Sequence, residues 1–363
     1  MPEERRKSAE LSWYTLWSCF LKASGYIKYD AVLMSKRYFA AVWSWDHCFN
    51  ALALSKSDFN AGIEQFLLPF ALQCKSGVLP DGWQTDRIIW TYVKPPIHGW
   101  CIKRLLSQGH LETKVLRYIY NHLEKWTDWW FKFRDIDRDG IPNYVDGKDS
   151  GWDNATVFDK GFCMETPDLS AYLVIQMQAL ADIALRLKED RQALLWQEKA
   201  AKLLERLYEH FWVNDMFVAK TSSSHEYNPA QTSLINYMPL VLGQDLDKDK
   251  FNIMVSRLTR DFLTDNGLAS ESIHSPHYES EGYWRGPIWA PSTYLLVDGL
   301  WRGGRKDLAV DIARRFCDMV ERAGGNYENY DALSGKGLRE IGYTWTASVN
   351  ILFLTEILLP AQK

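Results

Sequence analysis

Apolar residues at helical spacing run through most of this chain, and this pattern constrains the fold more than any other feature. One helix is predicted to begin at Thr166-Pro167-Asp168, because a capping residue followed by proline is typical of a first turn. Its apolar positions keep the i, i+3, i+4 spacing of a buried stripe as far as Leu187. Similar stripes occur at about 10–24, 46–56, 59–74, 91–106, 110–132, 191–213, 229–241, 246–259, 288–302, 304–323 and 342–359. Alternating strand patterns are nearly absent, and one short hairpin is expected between Phe211 and Lys220.

Four long loops separate these helices, at about 76–90, 135–165, 264–287 and 324–341. Loops of this length are uncommon unless they carry function. No linker rich in Ser, Gly or Pro divides the chain, so residues 1–363 are predicted to form one catalytic domain with inserted loops at about 135–165 and 264–287. About twelve helices with gathered loops fit an all-α toroid, the (α/α)6 barrel, in which six inner helices are ringed by six outer ones. A helical solenoid is the competing arrangement, but no repeat of fixed period is visible.

Charge and apolar runs exclude several classes of protein. The chain has 42 basic and 46 acidic residues with no basic block, so no nucleic-acid partner is expected. No run approaches the roughly 20 apolar residues of a membrane span. If Met1 is the true start, the protein is expected in the cytoplasm. The six cysteines include no CxxC pair, so neither a zinc motif nor a redox motif is written in the sequence.

Aromatic residues make up 14% of the chain, and 17 of them are tryptophan, against an ordinary frequency of roughly one in a hundred. Several fall in three strings that mix rings with glycine, carboxylate, amide or arginine groups: Ser150-Gly151-Trp152-Asp153-Asn154, Tyr283-Trp284-Arg285-Gly286-Pro287-Ile288-Trp289 and Asn326-Tyr327-Glu328-Asn329-Tyr330-Asp331. Sugars need that mixture, because their C–H faces stack on rings while their hydroxyls need polar partners. A carbohydrate site is therefore predicted.

Asp153 and Glu328 are the predicted catalytic pair. Cleavage of a glycosidic bond uses two carboxyl groups, one that protonates the leaving oxygen and one that activates water or attacks the anomeric carbon. On residue type alone, Asp153 could instead be a turn-forming aspartate and Glu328 a solvated loop acid. The two residues are distant in sequence, so only a fold that joins distant loops could use them together.

Five motifs in chain order carry a resemblance to a known family: Trp43-Ser44-Trp45-Asp46, Pro95-Pro96, Ser150–Asn154, Tyr283–Trp289 and Glu328–Asp331. This order resembles glycoside hydrolase family 63, which includes processing α-glucosidases, bacterial α-glycosidases and the hydrolases of mannosylglycerate and glucosylglycerate. The resemblance runs from about Tyr38 to Trp345. It implies an (α/α)6 barrel, inversion at the anomeric centre, a general acid at Asp153 and a general base at Glu328.

The sequence departs from the family pattern at two points. Lys94 stands where the family usually has a glutamine before Pro95-Pro96, and a lysine there could suit an anionic aglycone such as glycerate. The chain also lacks the N-terminal β domain of the large processing glucosidases, and so it resembles the compact form that acts on small glycosides.

Ten residues are predicted to contact the sugar. Asp46 is expected to bind hydroxyls, although an N-cap would also explain an aspartate before a helix. Arg285 is at least as well explained by a structural salt bridge. The predicted substrate contacts are Tyr38, Trp43, Trp45, Asp46, Trp152, Asn154, Tyr283, Trp284, Gly286 and Trp289.

Asp135, Asp137 and Asp139 copy the spacing of an EF-hand loop but lack its bidentate glutamate. An Asx-turn cluster is favoured here, and a structural calcium ion is the alternative, since some relatives carry calcium nearby. No cofactor is expected to be required for the reaction.

The function predicted from these features is an exo-acting, inverting α-glycoside hydrolase of the α-glucosidase or α-mannosidase type, acting on a small glycoside or oligosaccharide. A non-hydrolytic toroid, such as a sugar epimerase, isomerase or carbohydrate-binding protein, is the alternative. An epimerase would need histidines at the centre of the barrel, whereas the motif loops carry carboxylates. The sequence leaves open which sugar and aglycone are used and the oligomeric state.

Overall fold

Helices dominate the structure. The computed structural model describes residues 3–228 and 231–361. Its α-helices are α1 (Arg6–Ser18), α2 (His47–Leu54), α3 (Phe59–Leu67), α4 (His98–Gln108), α5 (Thr113–Phe133), α6 (Pro167–Arg186), α7 (Asp190–Phe211), α8 (Lys248–Asp261), α9 (Ala290–Arg302), α10 (Lys306–Ala323) and α11 (Thr344–Leu352). A π-helical turn, Phe353–Leu358, joins α11 to α12 (Leu359–Ala361). A further segment, Leu234–Asp245, is a 3-10 helix with a kink at Gly243.

Six of these elements form a closed inner ring. α2 contacts α4, α4 contacts α6, and α6 contacts the 3-10 segment, which in turn contacts α9. α9 contacts α11, and α11 returns to α2. The outer helices α1, α3, α5, α7, α8 and α10 pack against this ring. The predicted (α/α)6 barrel is therefore confirmed. In the described part of the chain, no helix is long and apolar enough to cross a membrane.

Burial explains why the chain divides into two rings. The inner helix α6 is buried along most of its length, whereas the outer helices α5 and α10 each bury one stripe and expose the opposite face. A helix that is apolar all round must be surrounded, and an amphipathic one can cover it. The packed tryptophans of α5, Trp126, Trp129 and Trp130, lie on its buried stripe.

The strands are short, and the sequence pattern underestimates their number. They are β1 (Phe20–Leu21), β2 (Ala31–Val32), β3 (Val42–Trp43), β4 (Gly82–Trp83), β5 (Ile88–Ile89), β6 (Asn143–Tyr144), β7 (Met164–Glu165), β8 (Trp212–Val213), β9 (Met216–Phe217), β10 (Lys220–Thr221), β11 (Leu263–Thr264), β12 (Gly267–Leu268), β13 (Tyr327–Tyr330) and β14 (Gly337–Ile341). β8 and β9 form the hairpin predicted between Phe211 and Lys220. The β13–β14 hairpin lies in the segment expected to be a loop at 324–341. All pairings between named strands are antiparallel, and three-stranded sheets form in the orders β3-β4-β5 and β10-β7-β6.

Four predicted helix ranges differ from the structure: the stripe at 10–24 runs past the end of α1 into β1, and the stripe at 59–74 runs past the end of α3 into a short 3-10 turn, Phe70–Leu72. The stripe at 91–106 includes Pro95-Pro96, and α4 begins only at His98. Proline disfavours helical geometry in the residue before it and cannot donate a backbone hydrogen bond, so the residues up to Pro96 stay extended. The stripe at 229–241 includes residues 229–230, which lie outside the described residues, and the rest corresponds to the 3-10 segment.

Candidate active site

Two connected chambers open on the face of the barrel that carries the long loops. The inner one has a volume of about 210 Å³ and is lined by Phe39, Trp43, Trp45, Asp46, Asp81, Tyr92, Lys94, Lys148, Gly151, Asp153, Tyr283, Trp284, Tyr343 and Trp345. The outer one, of about 930 Å³, is lined by Arg37, Tyr38, Phe39, Lys148, Asp153, Asn154, Tyr283, Glu328, Arg339, Glu340 and Ile341. Asp153 and Tyr283 line both, so they stand at the junction between a small aromatic chamber and a wider polar one.

A tight turn delivers Asp153 to this junction. The 3-10 helix Gly147–Ser150 carries a capping box between Asp146 and Asp149 and ends at Gly151, whose φ is 72°. A Cβ added at Gly151 would lie 2.7 Å from the Trp45 ring, so a side chain is excluded there by both backbone and space. Trp152 then closes the turn with its backbone N–H on Ser150 Oγ, at 3.0 Å.

Asp149 ties the turn to the barrel. Its carboxylate accepts from the Arg134 guanidinium at 2.6 Å and from the backbone N–H groups of Val93 and Val145, each at 3.0 Å. Asp149 is buried, and a buried carboxylate is stable only when such donors satisfy it. The position of Asp153 is therefore fixed by an ion pair that does not itself touch the chambers.

Asp153 has the environment that a proton donor needs. Burial raises the pKa of its carboxyl group, while the nearby ammonium groups of Lys94 and Lys148 act in the opposite direction. Lys94 is held away from Asp153 in part by its ion pair with Asp81, at 3.2 Å. A carboxyl group with a raised pKa keeps a proton to higher pH, as a general acid must.

Glu328 lies at a β-bulge in the β13–β14 hairpin. Tyr327 pairs with Ile341 and Asn329 with Leu338, so two residues, Arg339 and Glu340, stand opposite Glu328 alone. Arg339 has a φ of 61°, in the left-handed region, as the bulge requires. Trp345 Nε1 donates to the backbone carbonyl of Glu328 at 3.1 Å and fixes the strand from behind.

The Glu328 carboxylate is buried and surrounded by donors. Burial raises its pKa to about 7, and Arg339, the Tyr283 hydroxyl and the backbone N–H of Glu340 act in the opposite direction. Burial raises the pKa of the Tyr283 hydroxyl, and the nearby carboxyl groups of Asp153 and Glu328 act in the same direction. Tyr283 thus lies beside both carboxyl groups, which the fold has brought to one site from loops far apart in sequence.

The pKa values do not by themselves assign the acid and the base. Burial raises the pKa of both carboxyl groups, and an ionised Glu328 is the form present above about pH 7. The assignment of general acid to Asp153 and general base to Glu328 remains a prediction from the family motifs.

Asp46 has no structural function at the helix it precedes. It stands at the start of α2, yet its side chain makes no capping hydrogen bond, which removes the N-cap explanation. Oδ2 is buried and has no partner in the described residues. Burial raises the pKa of Asp46 to about 7, against the effect of Lys94. A buried, unpaired carboxylate in the inner chamber is placed to accept hydrogen bonds from sugar hydroxyls.

The remaining residues of the Trp43–Asp46 region lie at different depths. Trp45 is buried at the inner wall and Trp43 is half-buried beside Phe39. Tyr38 stands at the outer rim with 85% of its surface exposed, and its backbone N–H donates to Glu340. The structure thus places Trp43 and Trp45 in the inner chamber and Tyr38 in the outer one, and their contact with a substrate stays a prediction.

Three of the residues predicted to contact the sugar, Trp152, Gly286 and Trp289, instead lie behind the wall of the inner chamber. Trp284 is packed between Trp289, at 4.0 Å, and Trp152, at 4.5 Å between ring centroids, and neither of these flanking rings lines a chamber. Gly286 also lies outside both linings, and a Cβ there would sit 2.1 Å from the Glu279 carbonyl oxygen. Its bare backbone serves loop packing and not approach of a sugar. Trp152, Gly286 and Trp289 thus lie behind the wall and support it, and a direct contact between them and a sugar stays a prediction.

Asn154 joins the two motif loops. Its side-chain oxygen accepts from the backbone N–H of Trp284 at 2.9 Å, and its amide nitrogen donates to the Gly282 carbonyl at 3.0 Å. Arg285 donates to the backbone carbonyl of Asn154 and pairs with Asp159, which is the structural salt bridge considered from the sequence. Asn154 lines the outer chamber while both ends of its amide are occupied by this contact.

Several lining residues were not identified from the sequence. Asp81, Tyr92, Tyr343 and Trp345 complete the inner chamber, and Arg37, Lys148, Arg339 and Glu340 surround the outer one. Trp345 and Tyr343 lie at the start of α11, at the very end of the region of family resemblance, and the ring-rich Tyr343-Thr344-Trp345 string was the available signal. The exposed cations carry no such signal.

The predicted calcium residues do come together. Asp135, Asp137 and Asp139 each offer an oxygen atom within 4.8 Å of the others. Several of their contacts are local turns, in which Asp137 Oδ1 accepts from the N–H of Asp139 and Asp139 Oδ1 accepts from the N–H of Ile141, while the Oδ2 atoms of these two residues face His210, Ser223 and His225. The Asx-turn expectation describes these bonds, and the calcium ion remains a prediction.

Residues 39–346 match the model of the mannosylglycerate hydrolase MGH1-like glycoside hydrolase domain. The chain belongs to this family. This glycoside hydrolase is 22% identical to mannosylglycerate hydrolase MGH1 of Selaginella moellendorffii over 86% of its own chain and 80% of that protein. It is 20% identical to the glucosylglycerate hydrolase of Mycolicibacterium hassiacum, over 85% of its chain and 90% of that protein.

The fold of this family member is shared with a solved family 63 mannosylglycerate hydrolase from Thermus thermophilus, in complex with Tris and D-glycerate. The TM-score is 0.84 at 19% identity, over 96% of this chain and 100% of that one. The prediction of a family 63-like glycoside hydrolase acting on small glycosides is thereby confirmed at the level of the family.

Proposed function

We propose that this glycoside hydrolase removes a single α-linked glucose or mannose from a small, anionic aglycone, of which glycerate is the first candidate. The observation that supports this proposal is a set of three cations in the outer chamber, which also contains the carboxyl groups of Asp153, Glu328 and Glu340. Arg37, Lys148 and Arg339 line it, and none of the three forms an ion pair with a carboxylate in the described residues. Cations left without an acidic partner beside the reacting carboxyl groups are suited to bind a carboxylate.

The two chambers divide the substrate. The inner chamber is small, aromatic and closed behind by Trp45 and Trp345, so it suits one terminal sugar ring. The outer chamber is wide and is the one that contains Arg37 and Arg339, with Lys148 shared between the two chambers, so it suits the aglycone. The scissile bond would lie at the junction, beside Asp153. Lys94, considered from the sequence as an aglycone contact, lies in the inner chamber and pairs with Asp81, so the anion-binding role falls to the outer cations.

The reaction follows from this placement. Asp153 gives its proton to the glycosidic oxygen while Glu328 removes a proton from a water molecule that attacks the anomeric carbon from the opposite face. One displacement inverts the anomeric centre, so an α-glycoside releases a β-sugar. Tyr283, next to both carboxyl groups, would hold this geometry together. No histidine lines either chamber in the described part of the chain, which disfavours an epimerase at this site.

The first experiment tests the stereochemistry. Proton NMR is recorded within minutes of mixing enzyme with α-mannosylglycerate or α-glucosylglycerate, before mutarotation. The β-anomer is expected as the first product. First appearance of the α-anomer would reject a single displacement and the role of Glu328 as base.

The second experiment tests the aglycone charge. kcat/KM is compared for α-glycosylglycerate and the matched neutral α-glycosylglycerol, in which a hydroxymethyl group replaces the carboxylate. We expect the charged substrate to be preferred, and Arg37→Gln to reduce that preference about tenfold, since a charge-assisted hydrogen bond is worth about 1.5–3 kcal/mol. Lys36→Gln, a neighbouring exposed cation outside the chamber, is the matched control. Equal rates on the two substrates would reject an anionic aglycone while leaving the hydrolase mechanism intact.

A further inference from the structure

A cluster of histidine and carboxylate groups lies outside both chambers. Asp139, Glu165, His210 and His225 each offer one oxygen or nitrogen atom, and these atoms all lie within 4.8 Å of one another. They come from four separate segments: the loop before β6, strand β7, the last turn of α7 and the loop after β10. Four distant segments that converge in this way indicate a site and not a local turn.

The buried charge of the cluster, the Glu165 carboxylate, has His210, His225 and the more distant ammonium group of Lys220 as cationic neighbours. Glu165 is completely buried, and its only ion-pair neighbours in the described residues are the two histidines. Nε2 of His210 lies 2.7 Å from Glu165 Oε2, and the Ser222 side chain also approaches this carboxylate, but neither contact has full hydrogen-bond geometry in the described part of the chain. A buried carboxylate without full hydrogen bonds costs free energy unless a cation occupies the space between the groups.

The spacing fits a metal ion with nitrogen ligands. Nε2 of His225 lies 3.7 Å from Asp139 Oδ2 and 3.8 Å from Glu165 Oε2. In a tetrahedral zinc site, with ligands at about 2.1 Å, neighbouring ligand atoms are roughly 3.4 Å apart, and the distances of 2.7–3.8 Å bracket that value.

The ligand types select among metals. We propose that Asp139, Glu165, His210 and His225 bind a divalent transition-metal ion of the Zn²⁺ class. Imidazole nitrogen suits zinc and its neighbours, whereas calcium takes oxygen ligands only. Asp137 lies beside the site, because its Oδ2 is 3.3 Å from His225 Nε2 and accepts from the backbone N–H of Ser223 at 2.7 Å. Because this contact uses the same Nε2, His225 gives it up when that nitrogen binds the metal ion.

The position of the site gives it a structural role. Asp139 and Glu165 stand near the two ends of the segment that carries Asp153, and the histidines belong to an outer helix and a separate loop. A metal ion would therefore clamp both ends of the catalytic segment to the barrel. It would not touch the substrate, since none of its four ligands lines a chamber.

Metal binding is tested by titration. The full-length protein is treated with EDTA, desalted and titrated with Zn²⁺ by calorimetry, and Co²⁺ is then used as a visible probe of the coordination. We expect one equivalent of Zn²⁺ per chain, a Tm that rises with Zn²⁺ concentration, and Co²⁺ absorption bands of the four-coordinate type. Absence of saturable Zn²⁺ and Co²⁺ binding would overturn the proposal.

Variants identify the ligands. His210→Gln and His225→Gln should each weaken Zn²⁺ binding roughly tenfold or more, and His277→Gln, an exposed histidine in another loop, should not. His225 is 39% exposed, so its variant is expected to fold even if replacement of the more buried His210 impairs folding. Zn²⁺ affinity unchanged in both histidine variants, or binding of Ca²⁺ but not of Zn²⁺, would reject a histidine-ligated transition metal.

Discussion

The indole rings of Trp284 and Trp289 lie parallel, with centroids 4.0 Å apart and planes 4° apart. Trp152 covers Trp284 from another side, at 4.5 Å. Only part of Trp284 is left to line the inner chamber, so this ring forms a rigid part of the chamber wall and does not offer an open face for stacking. The rigidity of the site is therefore expected to depend on Trp152 and Trp289, which lie behind the chamber wall.

This stack makes a prediction about stability. Trp289→Ala removes a fully buried ring and should lower the free energy of unfolding by about 3–5 kcal/mol. Denaturant unfolding measures this change. Trp17→Ala is the control, because Trp17 is 72% exposed and its loss should cost little. Equal effects of the two substitutions would contradict the supporting role of Trp289.

Removal of either catalytic carboxyl group should abolish most turnover without unfolding the protein. Asp153→Asn and Glu328→Gln are each expected to lower kcat about a thousandfold or more, because each removes proton transfer and correctly placed charge. Steady-state kinetics on a glycoside with a poor leaving group, together with Tm, measures both effects. The exposed Glu279→Gln is the matched control. A variant with near-normal kcat on that substrate would remove its residue from the mechanism.

The pH dependence reports on Glu328. A base acts in its ionised form, so with a pKa of about 7 kcat/KM should fall as the pH drops below about 7. Arg339 favours the ionised form, and Arg339→Gln should raise the pKa of Glu328 and move the acidic limb to higher pH. Tyr283→Phe should shift the limb in the same direction, because it removes a hydrogen bond to the carboxylate. Lys336→Gln, in the same hairpin loop, is the control. If the acidic limb of the pH profile stays in place in both test variants, Glu328 is not the group that causes this limb.

Asp46 should show opposite effects on activity and stability. Asp46→Asn is expected to lower kcat/KM, because buried sugar hydroxyls lose a charged acceptor. The expected loss of transition-state stabilisation is about 2–4 kcal/mol. The folded-state pKa of Asp46, about 7, exceeds that of an unfolded aspartate, so the wild type loses stability as the pH rises from about 4 through 7. Asparagine does not ionise, so the variant does not lose this stability. The Tm of the variant minus the Tm of the wild type should therefore be larger at about pH 8 than at about pH 5. Calorimetry at both pH values tests this; a constant difference would contradict the burial of an ionisable Asp46.

The sequence predicted the barrel because its evidence is local. The sequence of each helix contains its own apolar stripe, and an inner helix such as α6 is recognisable from its high content of apolar residues. The β13–β14 hairpin escaped detection because its residues serve the chambers: Glu328, Arg339 and Glu340 replace the apolar alternation that would mark a strand. Because these positions carry polar residues of the chambers, the sequence pattern does not predict a strand there.

The motifs located the site but could not tell which residues face it. Trp284 and Trp289 belong to one string, yet one lines the inner chamber and the other supports it, because the turn between them sends the rings into the same stack. Arg37 and Lys148 carry no sequence signal at all, since an exposed cation in a loop looks the same wherever the fold places it. Only the closure of the ring brings these residues beside Asp153.

The bulged β13–β14 hairpin carries residues that belong to two different tasks proposed for the site, proton transfer and binding of the aglycone. Glu328 and Arg339 lie on its two strands, so the predicted general base and one cation of the outer chamber share this hairpin. Exchange of this hairpin between family members would change leaving-group preference and hydrolytic rate together. New substrate specificity in this scaffold is therefore more accessible from the Arg37 side of the chamber, where the chain can diverge without moving the base.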